Sequence, residues 1–379
     1  MGILLSSLVT ILISFDALSP AQVNSKTAPN IDHFRKSGEW ADFVEPTFPS
    51  STFPGHATLI TGCWTGQHGI VSNHFLDPKK GPFHMEDESE WQICEPLWAA
   101  AARAGKKVAI YTWAMAQTPW HGAKPAYLNP LPKLKEEKAR LFKDFKAEKE
   151  WRQILDWVAL PEEQRPALIL GYFPGIDVEG HKHGPFARQT MAILKNYDHL
   201  FGRFLNDLKR RGLLATTNIV LVSDHGMIKA DKPIDMTGPM AELEKRLGKK
   251  NMRYEISAGT QINIYLKKKS RVPETVALLK PVPHLRVYAA RDFPAEWHYQ
   301  NPRSGDVLVV VDPPYYLSFG KPKPGEEKVG FHGYDPKFPE MHAFFAAAGS
   351  SFPKKHRQKM LMIEVAPAVA KAIDLPFHP

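Results

Sequence analysis

Short apolar, β-branched runs alternate along this chain with longer amphipathic segments. Four runs predict buried strands, namely Val9–Phe15, Lys107–Trp113, Ala167–Phe173 and Asn218–Ser223. Three segments between them predict helices, namely Trp91–Ala104, Leu134–Leu160 and Gln189–Leu208. Strands that are apolar on both faces and alternate with helices are typical of a parallel sheet covered on both sides. The pattern therefore predicts an α/β fold.

The pattern changes after about residue 226, where the predicted elements become shorter and Pro and Gly more frequent. Helices are predicted at Glu242–Leu247 and Glu274–Leu279, and strands at Gln261–Leu266, His284–Ala289 and Val307–Val311. We expect residues 226–330 to form a smaller α+β subdomain, inserted into a main unit made of residues 1–225 and 331–379. The main unit is expected to end with two helical runs, Phe338–Ala348 and Ala366–Ile373.

The apolar run Leu4–Phe15 is interrupted by serines and is too short to span a bilayer. Its second half is the first predicted strand, which leaves only Met1–Leu8 before it. That stub is shorter than a secretory signal. We therefore expect no membrane span and see no signal peptide in the sequence as given.

Composition is that of an ordinary globular protein: 379 residues, 43% of them hydrophobic and 23% charged. The formal net charge is +9, which favours anionic partners such as phosphate esters, although a general solubility charge explains it equally well. The sequence contains no arginine-rich arm, no RNP-like aromatic pattern and no Cys/His finger, so no dedicated nucleic-acid module is expected. Oligomeric state is not readable from these features.

The two cysteines, Cys63 and Cys94, lie in apolar contexts without CxxC spacing. We expect buried free thiols, with a single disulfide as the alternative.

Polar residues with metal-binding side chains follow the predicted strands. Asp16 directly follows Phe15, Asp224 and His225 follow the fourth strand, and a loop at 177–185 follows the third. In open α/β sheets, substrates and cofactors bind at the carboxyl ends of the strands. The candidates are three aspartates and three histidines: Asp16, Asp177, His181, Asp224, His225 and His332. Each alone has an ordinary explanation, as a turn residue, a helix cap or a hydrogen-bonded pair. Together, carboxylates and imidazoles suit zinc or a related ion, and six are enough for two ions.

Thr52 stands where an extended, Pro-rich segment gives way to a helical run. By itself it fits a helix N-cap best. A hydroxyl at a helix N-terminus also lies where a phosphate group binds well, and neighbouring metal ions make it more acidic. With the six metal-binding residues taken into account, Thr52 becomes the candidate nucleophile.

Several blocks together resemble one family, the nucleotide pyrophosphatase/phosphodiesterases of the alkaline phosphatase superfamily. They are Thr52-Phe53-Pro54-Gly55-His56, Thr61-Gly62 with His68-Gly69-Ile70-Val71-Ser72-Asn73, Asp177–Pro185, Ser223-Asp224-His225-Gly226-Met227 and His332-Gly333-Tyr334-Asp335. The resemblance extends over nearly the whole chain. It implies an alkaline-phosphatase-like core with a mostly parallel central sheet.

The resemblance also implies a two-zinc centre. One zinc ion would be held by Asp177, His181 and His332, and the other by Asp16, Asp224, His225 and Thr52. Thr52 would attack phosphorus and form a phosphothreonine. His183, close to His181, would support the centre without ligating.

Two further residues acquire substrate-binding roles from the resemblance. Asn73 would donate a hydrogen bond to a phosphate oxygen, together with the backbone N–H of Phe53. The Phe53 ring would pack against the substrate. A turn role for Asn73 and core packing for Phe53 are the alternatives. Gly55 and Trp64 depart from the family pattern and are expected at the pocket rim, and Tyr111 and Trp113 are candidates for a second aromatic beside a nucleobase.

The implied activity is zinc-dependent hydrolysis of phosphodiester or pyrophosphate bonds in small nucleotide-like substrates. The same site acting on a phosphomonoester, a lipid-headgroup diester or a phosphonate is the alternative, and a non-catalytic binding protein is a further one. Relatives imply a periplasmic or secreted location.

Overall fold

The computed structural model describes residues 8–129, 146–320 and 329–379. Within them, strands β1 to β18 are, in chain order, Val9–Phe15, Glu39–Glu45, His74–Asp77, Gly81–His84, Val108–Ile110, Tyr127–Leu128, Leu168–Phe173, Thr217–Val222, Ile228–Lys229, Lys232–Asp235, Met252–Ser257, Gln261–Leu266, Leu285–Ala289, Val307–Val311, Tyr315–Ser318, Gly330–Phe331, Phe345–Ala348 and Lys355–Leu361. Helices α1 to α10 are Pro29–Arg35, Thr52–Thr61, Thr65–His68, Leu97–Arg103, Ala147–Val158, Gly175–His183, Arg188–Arg210, Thr237–Leu247, Val272–Leu279 and Val365–Ala372.

A central sheet of eight strands has the order β18-β2-β17-β8-β1-β7-β5-β6. β1 pairs in parallel with both β7 and β8, and the β5–β7, β5–β6 and β18–β2 pairs are also parallel. Only β17 runs antiparallel to its neighbours, β8 and β2. The prediction of a mostly parallel central sheet is confirmed.

Both faces of this sheet are buried beneath helices. On β1, Leu12 packs into one apolar cluster, which contains Trp98 of α4 and Val369 of α10. Its neighbour Ile13 points to the opposite face and packs into a second cluster, with Phe201 of α7. All seven residues of β1 are buried, which explains why its sequence is apolar without alternation.

A smaller antiparallel sheet, with the order β11-β12-β14-β13, forms within the stretch that we predicted to be an insertion. It has its own apolar cluster, built with Met240 and Leu243 of α8. The cluster also takes in Phe331 and Met341, which lie beyond residue 330. The proposed domain division remains a prediction.

Two predicted segments have a different structure, and the helix predicted at Trp91–Ala104 covers only Leu97–Arg103. Residues 338–348 are not a helix, since a short 3-10 turn at Pro339–Met341 is followed by β17. β17 lies between two strands and its first three residues are buried, so the run is as apolar as a buried helix. Residues 177–183 are not a loop, because they belong to α6. Of the predicted helix Leu134–Leu160, residues 134–145 lie outside the described part, and Ala147–Val158 is helical.

The expectation of free thiols is wrong. Cys63 and Cys94 form a disulfide, with their Cα atoms 6.7 Å apart. The pairing could not be predicted from the sequence, because the partners are 31 residues apart and are separated by α3, β3 and β4. None of the helices in the described ranges is both long enough and apolar enough to cross a membrane.

Candidate metal centre

The candidate ligands meet because three of the strands that precede them are neighbours in the central sheet. β7, β1 and β8 lie side by side in parallel, so their carboxyl ends share one edge. Asp16 directly follows β1, Asp224 follows β8 by two residues, and Asp177 lies in the first turn of α6 beyond β7. The short strand β16 brings His332 to the same edge.

The six residues form two groups of three. In each group, one ligand atom per residue lies within 4.8 Å of the others; the groups are Asp177, His181 and His332, and Asp16, Asp224 and His225. The groups adjoin, since the rings of His225 and His332 stack with their centroids 3.9 Å apart. These are the two sets that the resemblance implied. The geometry brings them together, and ligation itself remains a prediction.

All three histidines are oriented alike. Nδ1 of His181 lies 2.8 Å from the Gly330 carbonyl oxygen, that of His225 lies 2.8 Å from Gly226 O, and that of His332 lies 3.2 Å from Ser50 O. A carbonyl oxygen can only accept, so the proton is on Nδ1 in each ring. In the neutral form of each ring, the lone pair is then on Nε2, which lies 3.4 to 3.7 Å from an aspartate oxygen. Metal-binding histidines adopt this tautomer.

The aspartates also fit a cation. Within the described ranges, Asp16 Oδ1, Asp177 Oδ1 and Asp224 Oδ2 are buried without a hydrogen-bond partner. Burial raises the pKa of Asp16 well above its usual value, and the nearby carboxylates of Asp224 and Asp177 raise it further. Such a cluster of carboxylates is costly to ionise without a positive charge among them. Divalent cations held by carboxylate oxygen and imidazole nitrogen would supply that charge.

Contacts behind the ligands hold the carboxylates in place. The Tyr172 hydroxyl donates a hydrogen bond to Asp16 Oδ2. Burial, followed by the charge of Asp16, raises the pKa of Tyr172 well above its usual value, so the hydroxyl stays a donor. Asp224 Oδ1 accepts from the backbone N–H groups of Ala17 and His225, both at 3.1 Å. Burial acts to raise the pKa of Asp224, but the positive charge that His225 and His56 carry when protonated holds it below its usual value.

His56 is a site residue to which the sequence assigned no role. Its Nδ1 lies 2.8 Å from the Thr52 carbonyl oxygen and 3.3 Å from Asp224 Oδ2, and its Nε2 lies 2.9 Å from Ser14 Oγ. Because a carbonyl only accepts, Nδ1 carries the proton. A single buried ring thus links the start of α2, which carries Thr52, to a candidate ligand. Its place four residues after Thr52, one helical turn on, was the available signal.

We had expected Gly55 at the pocket rim, but it lies against Asp224 instead. A Cβ atom at this position would lie 2.8 Å from the carbonyl oxygen of Asp224 and 2.9 Å from its Cβ. Both distances are too short for real contacts, so only glycine lets α2 approach Asp224 this closely.

Thr52 is the first residue of α2, and Ser51 takes the N-cap position, so the capping role does not fall to Thr52. Its Oγ1 lies 3.3 Å from Nε2 of His225. The hydroxyl therefore sits both at the open N-terminus of a helix and beside the second ligand group.

Asn73 reaches the same helix N-terminus. Its Oδ1 accepts the backbone N–H of Phe53 at 2.9 Å. That N–H is thus already used, and the Asn73 amide nitrogen is the donor left for a substrate. The Phe53 ring is only 8% exposed and packs edge-on against Phe83, their centroids 5.5 Å apart. Most of the Phe53 ring is therefore buried in core packing, and its contact with a substrate remains a prediction.

Other residues named from the sequence lie elsewhere. Trp113 is fully buried against His56, so it cannot stack on a nucleobase, and Tyr111 packs towards Trp157 in the core. Trp64 stacks on His298, with centroids 4.2 Å apart. His183 lies 3.4 Å from Glu179 and joins neither ligand group.

Comparison with known protein families matches residues 10–335 to the type I phosphodiesterase / nucleotide pyrophosphatase family. The chain belongs to this family. It is a hydrolase of the phosphodiesterase and nucleotide pyrophosphatase type.

Curated relatives and solved structures agree. An uncharacterised pyrophosphatase/phosphodiesterase of Schizosaccharomyces pombe is 31% identical, over 97% of this chain and 77% of that protein. The bis(5'-adenosyl)-triphosphatase ENPP4 of Mus musculus is 28% identical, over 97% of this chain and 78% of that protein. The structure of murine ectonucleotide pyrophosphatase / phosphodiesterase 5 superposes with a TM-score of 0.83 at 26% identity, covering 98% of this chain and 96% of that one.

Proposed function

We propose that this protein hydrolyses phosphodiester or pyrophosphate bonds in small nucleotide-like substrates, with two zinc ions and with Thr52 as the nucleophile. One observation carries the proposal. Three imidazole Nε2 atoms and three carboxylates converge in two adjoining groups, and the Thr52 hydroxyl lies 3.3 Å from one of those nitrogens.

The residues present fit two ions. Asp177, His181 and His332 would hold one, and Asp16, Asp224 and His225, together with Thr52, would hold the other. When bound, such ions neutralise the carboxylates, lower the pKa of a hydroxyl and stabilise negative charge on phosphoryl oxygens.

Thr52 Oγ1 gives up its proton to water and attacks phosphorus from the N-terminus of α2. A bond from Oγ1 to phosphorus forms, the ester bond on the opposite side breaks, and the leaving oxygen takes a proton as it departs. Water then attacks the phosphothreonine, restores the Thr52 hydroxyl and releases a phosphate ester. His56 holds the Thr52 carbonyl, and thereby the start of α2, against Asp224 throughout.

At the start of α2, the Phe53 N–H is bonded to Asn73, Pro54 has no N–H, and the Gly55 N–H donates to the Ser51 carbonyl oxygen. The Asn73 amide nitrogen is therefore the donor aimed at the phosphoryl oxygens. Asn73 is held in place because its own oxygen is bonded to the Phe53 N–H. A donor fixed in this way stabilises developing negative charge without having to reorganise.

Named relatives support the substrate class. ENPP4 carries the name bis(5'-adenosyl)-triphosphatase, and a solved structure of murine ENPP5 shows an inactive variant, with alanine in place of a threonine, in complex with AMP. Both point to nucleotides with a phosphoanhydride or ester bond.

A phosphomonoesterase is the second candidate, because the same centre could bind a dianion. Within the described part of the chain, no lysine or arginine is among the hydrogen-bond partners of Thr52 or Asn73. A dianionic monoester needs more positive charge than a diester, so this favours the diester.

The test is turnover of a thymidine p-nitrophenyl diester against p-nitrophenyl phosphate, with zinc supplied. We expect the diester to be hydrolysed with the higher kcat/KM. The reverse order would favour the monoesterase, and preference for a lipid-headgroup diester or a phosphonate would favour those substrates. If zinc-loaded protein hydrolyses none of these four kinds of substrate, the hypothesis of a non-catalytic binding protein would be favoured.

We also propose that the protein works in an oxidising compartment outside the cytoplasm. The Cys63–Cys94 disulfide supports this, because such bonds persist mainly in secreted and periplasmic proteins. A relative of Naja atra, 27% identical, is named venom phosphodiesterase. Recovery of the protein from its native source with both thiols free would contradict the proposal.

A further inference from the structure

The positive charge of the chain is concentrated in one short stretch. Between residues 245 and 271 there are nine lysines and arginines and a single acidic residue, Glu255, while the whole chain carries a net charge of only +9. This stretch lies in and around the β11–β12 hairpin of the smaller sheet. The excess charge is therefore a local feature and not a general property of the surface.

Several of these cations line a groove of about 580 Å³ on the outside of the hairpin. Its charged lining residues are Lys249, Lys250, Arg253, Lys267, Lys269 and Asp306. Five are cations, and the one carboxylate is already engaged: Asp306 Oδ1 lies 2.6 Å from Lys269 Nζ, and its Oδ2 accepts the Leu266 N–H.

The remaining cations lack a counter-charge among the described residues. Lys249, Lys250, Arg253 and Lys267 are exposed and form no ion pair with any described residue. The hairpin forces them together, because Met252 pairs with Leu266 and the Lys267 N–H donates to the Asn251 carbonyl. Like charges held side by side repel one another, and an anion bound between them removes that cost.

The groove is separate from the metal centre. Asn73, at the centre, immediately precedes β3, whereas Leu76 within β3 and Pro78 after it line the groove. Three strand residues correspond to a span of about 10 Å. No candidate metal ligand lines the groove.

We propose that this groove binds a linear polyphosphate chain, as a second anion site beyond the metal centre. The cations line a concavity, which suits a chain better than a flat lipid surface. None of the exposed large apolar side chains found in the described ranges lines the groove, so nothing there would enter a bilayer.

The lining also lacks a platform for nucleobases. Its one aromatic residue, Tyr265, is half-buried, and its hydroxyl is bonded on two sides, donating to Arg303 O and accepting from the Leu76 N–H. Binding of single-stranded nucleic acid relies on stacking against aromatic faces in addition to backbone charge. The groove offers only charge, and phosphate groups in a row match it.

The test compares three proteins for binding of fluorescently labelled polyphosphate: the zinc-loaded wild type, a groove variant and a control. The groove variant is Lys250→Glu with Lys267→Glu. The control is Lys195→Glu with Lys209→Glu, two exposed lysines of α7, so that both variants carry the same net charge. We expect the groove variant to bind about tenfold more weakly or worse, because each exposed charge contact contributes modestly and the contacts sum. The control should bind like the wild type.

Turnover of a small phosphodiester serves as the check on folding, and it should be the same in all three proteins. A second pair of substitutions, Lys250→Gln with Lys267→Gln, should give an intermediate loss of binding. Equal binding by groove variant and wild type, or equal losses in groove variant and control, would overturn the proposal. So would a single-stranded oligonucleotide or an anionic lipid vesicle that binds more tightly than polyphosphate and loses affinity in the groove variant.

Discussion

The metal centre and the basic groove both gather charges of one sign, yet they do so under opposite conditions. In the centre, Asp16 and Asp224 are 2% and 0% exposed, and a histidine nitrogen lies near each unsatisfied carboxylate oxygen. In the groove, the cations Lys250, Arg253 and Lys267 are all exposed. The first set of charges is buried and held by hydrogen bonds, and the second is exposed to solvent.

This difference determines how each region should respond to change. Buried charges in a region of low dielectric interact strongly, so one missing atom has a large effect. Exposed charges are screened by salt within about 8 Å at physiological ionic strength, so they act through their number. We therefore expect single substitutions to impair turnover or metal binding at the centre. Only combined substitutions should abolish anion binding in the groove.

The largest effect should come from the nucleophile. Thr52→Ala removes the attacking oxygen and keeps all six Asp and His ligands, so turnover of a diester should fall by about 10⁴-fold or more while metal content is unchanged. The matched control is Ser51→Ala, the adjacent buried hydroxyl, which makes no cap bond. If the two variants lost activity equally, Thr52 would have no special role.

A smaller effect should come from the contact behind Asp16. Tyr172→Phe removes only the hydroxyl that donates to Asp16 Oδ2, and losing such a contact weakens metal affinity by about 10- to 100-fold. Chelator competition measures that affinity directly. Tyr111→Phe, an aromatic position in the core, provides the control. Unchanged affinity in the Tyr172 variant would show that Asp16 needs no such support.

The last prediction concerns a buried histidine that lies outside the metal centre. His68 is as buried as His225, but both its nitrogens are used by the protein: Nδ1 accepts the Ile70 N–H, and Nε2 bonds the Thr58 hydroxyl. Burial, and then the charge of Arg303, lowers the pKa of His68 from 6.5 to about 3.

This shift predicts a contribution to acid sensitivity. Between its folded and unfolded pKa values, His68 is protonated only in the unfolded chain, so protonation favours unfolding. Its contribution to the free energy of unfolding is complete above pH 6.5 and falls by about 1.4 kcal/mol per unit below that, down to about pH 3. Denaturant unfolding of the wild type and His68→Gln should show a flatter pH dependence in the variant. Parallel curves would mean that His68 titrates normally.

What the sequence reveals depends on how far each feature is determined locally. The strands Val9–Phe15, Gln261–Leu266 and Val307–Val311 were predicted to the residue, because each is a short run with clear ends and either an apolar or an alternating pattern. The six candidate metal ligands were found because they follow predicted strands or lie in motifs that resemble those of the family. Strands β2 and β18 were missed because they are partly exposed and lack a continuous apolar run.

Features that depend on contacts between distant segments were beyond reach. Tyr172 meets Asp16 across 156 positions of the chain, and Gly55 owes its role to Asp224. The net charge of +9 was plain from composition, but its concentration in a groove depends on the pairing of β11 with β12 and on the strand β3 beside them.

The most direct test of the account is the metal content of the purified protein, measured by elemental analysis together with native mass spectrometry. Two adjoining groups of three ligands, each with its Nε2 atoms and carboxylate oxygens converging, predict two zinc ions per chain. A protein that is folded and supplied with zinc but holds no stoichiometric metal would contradict the central claim.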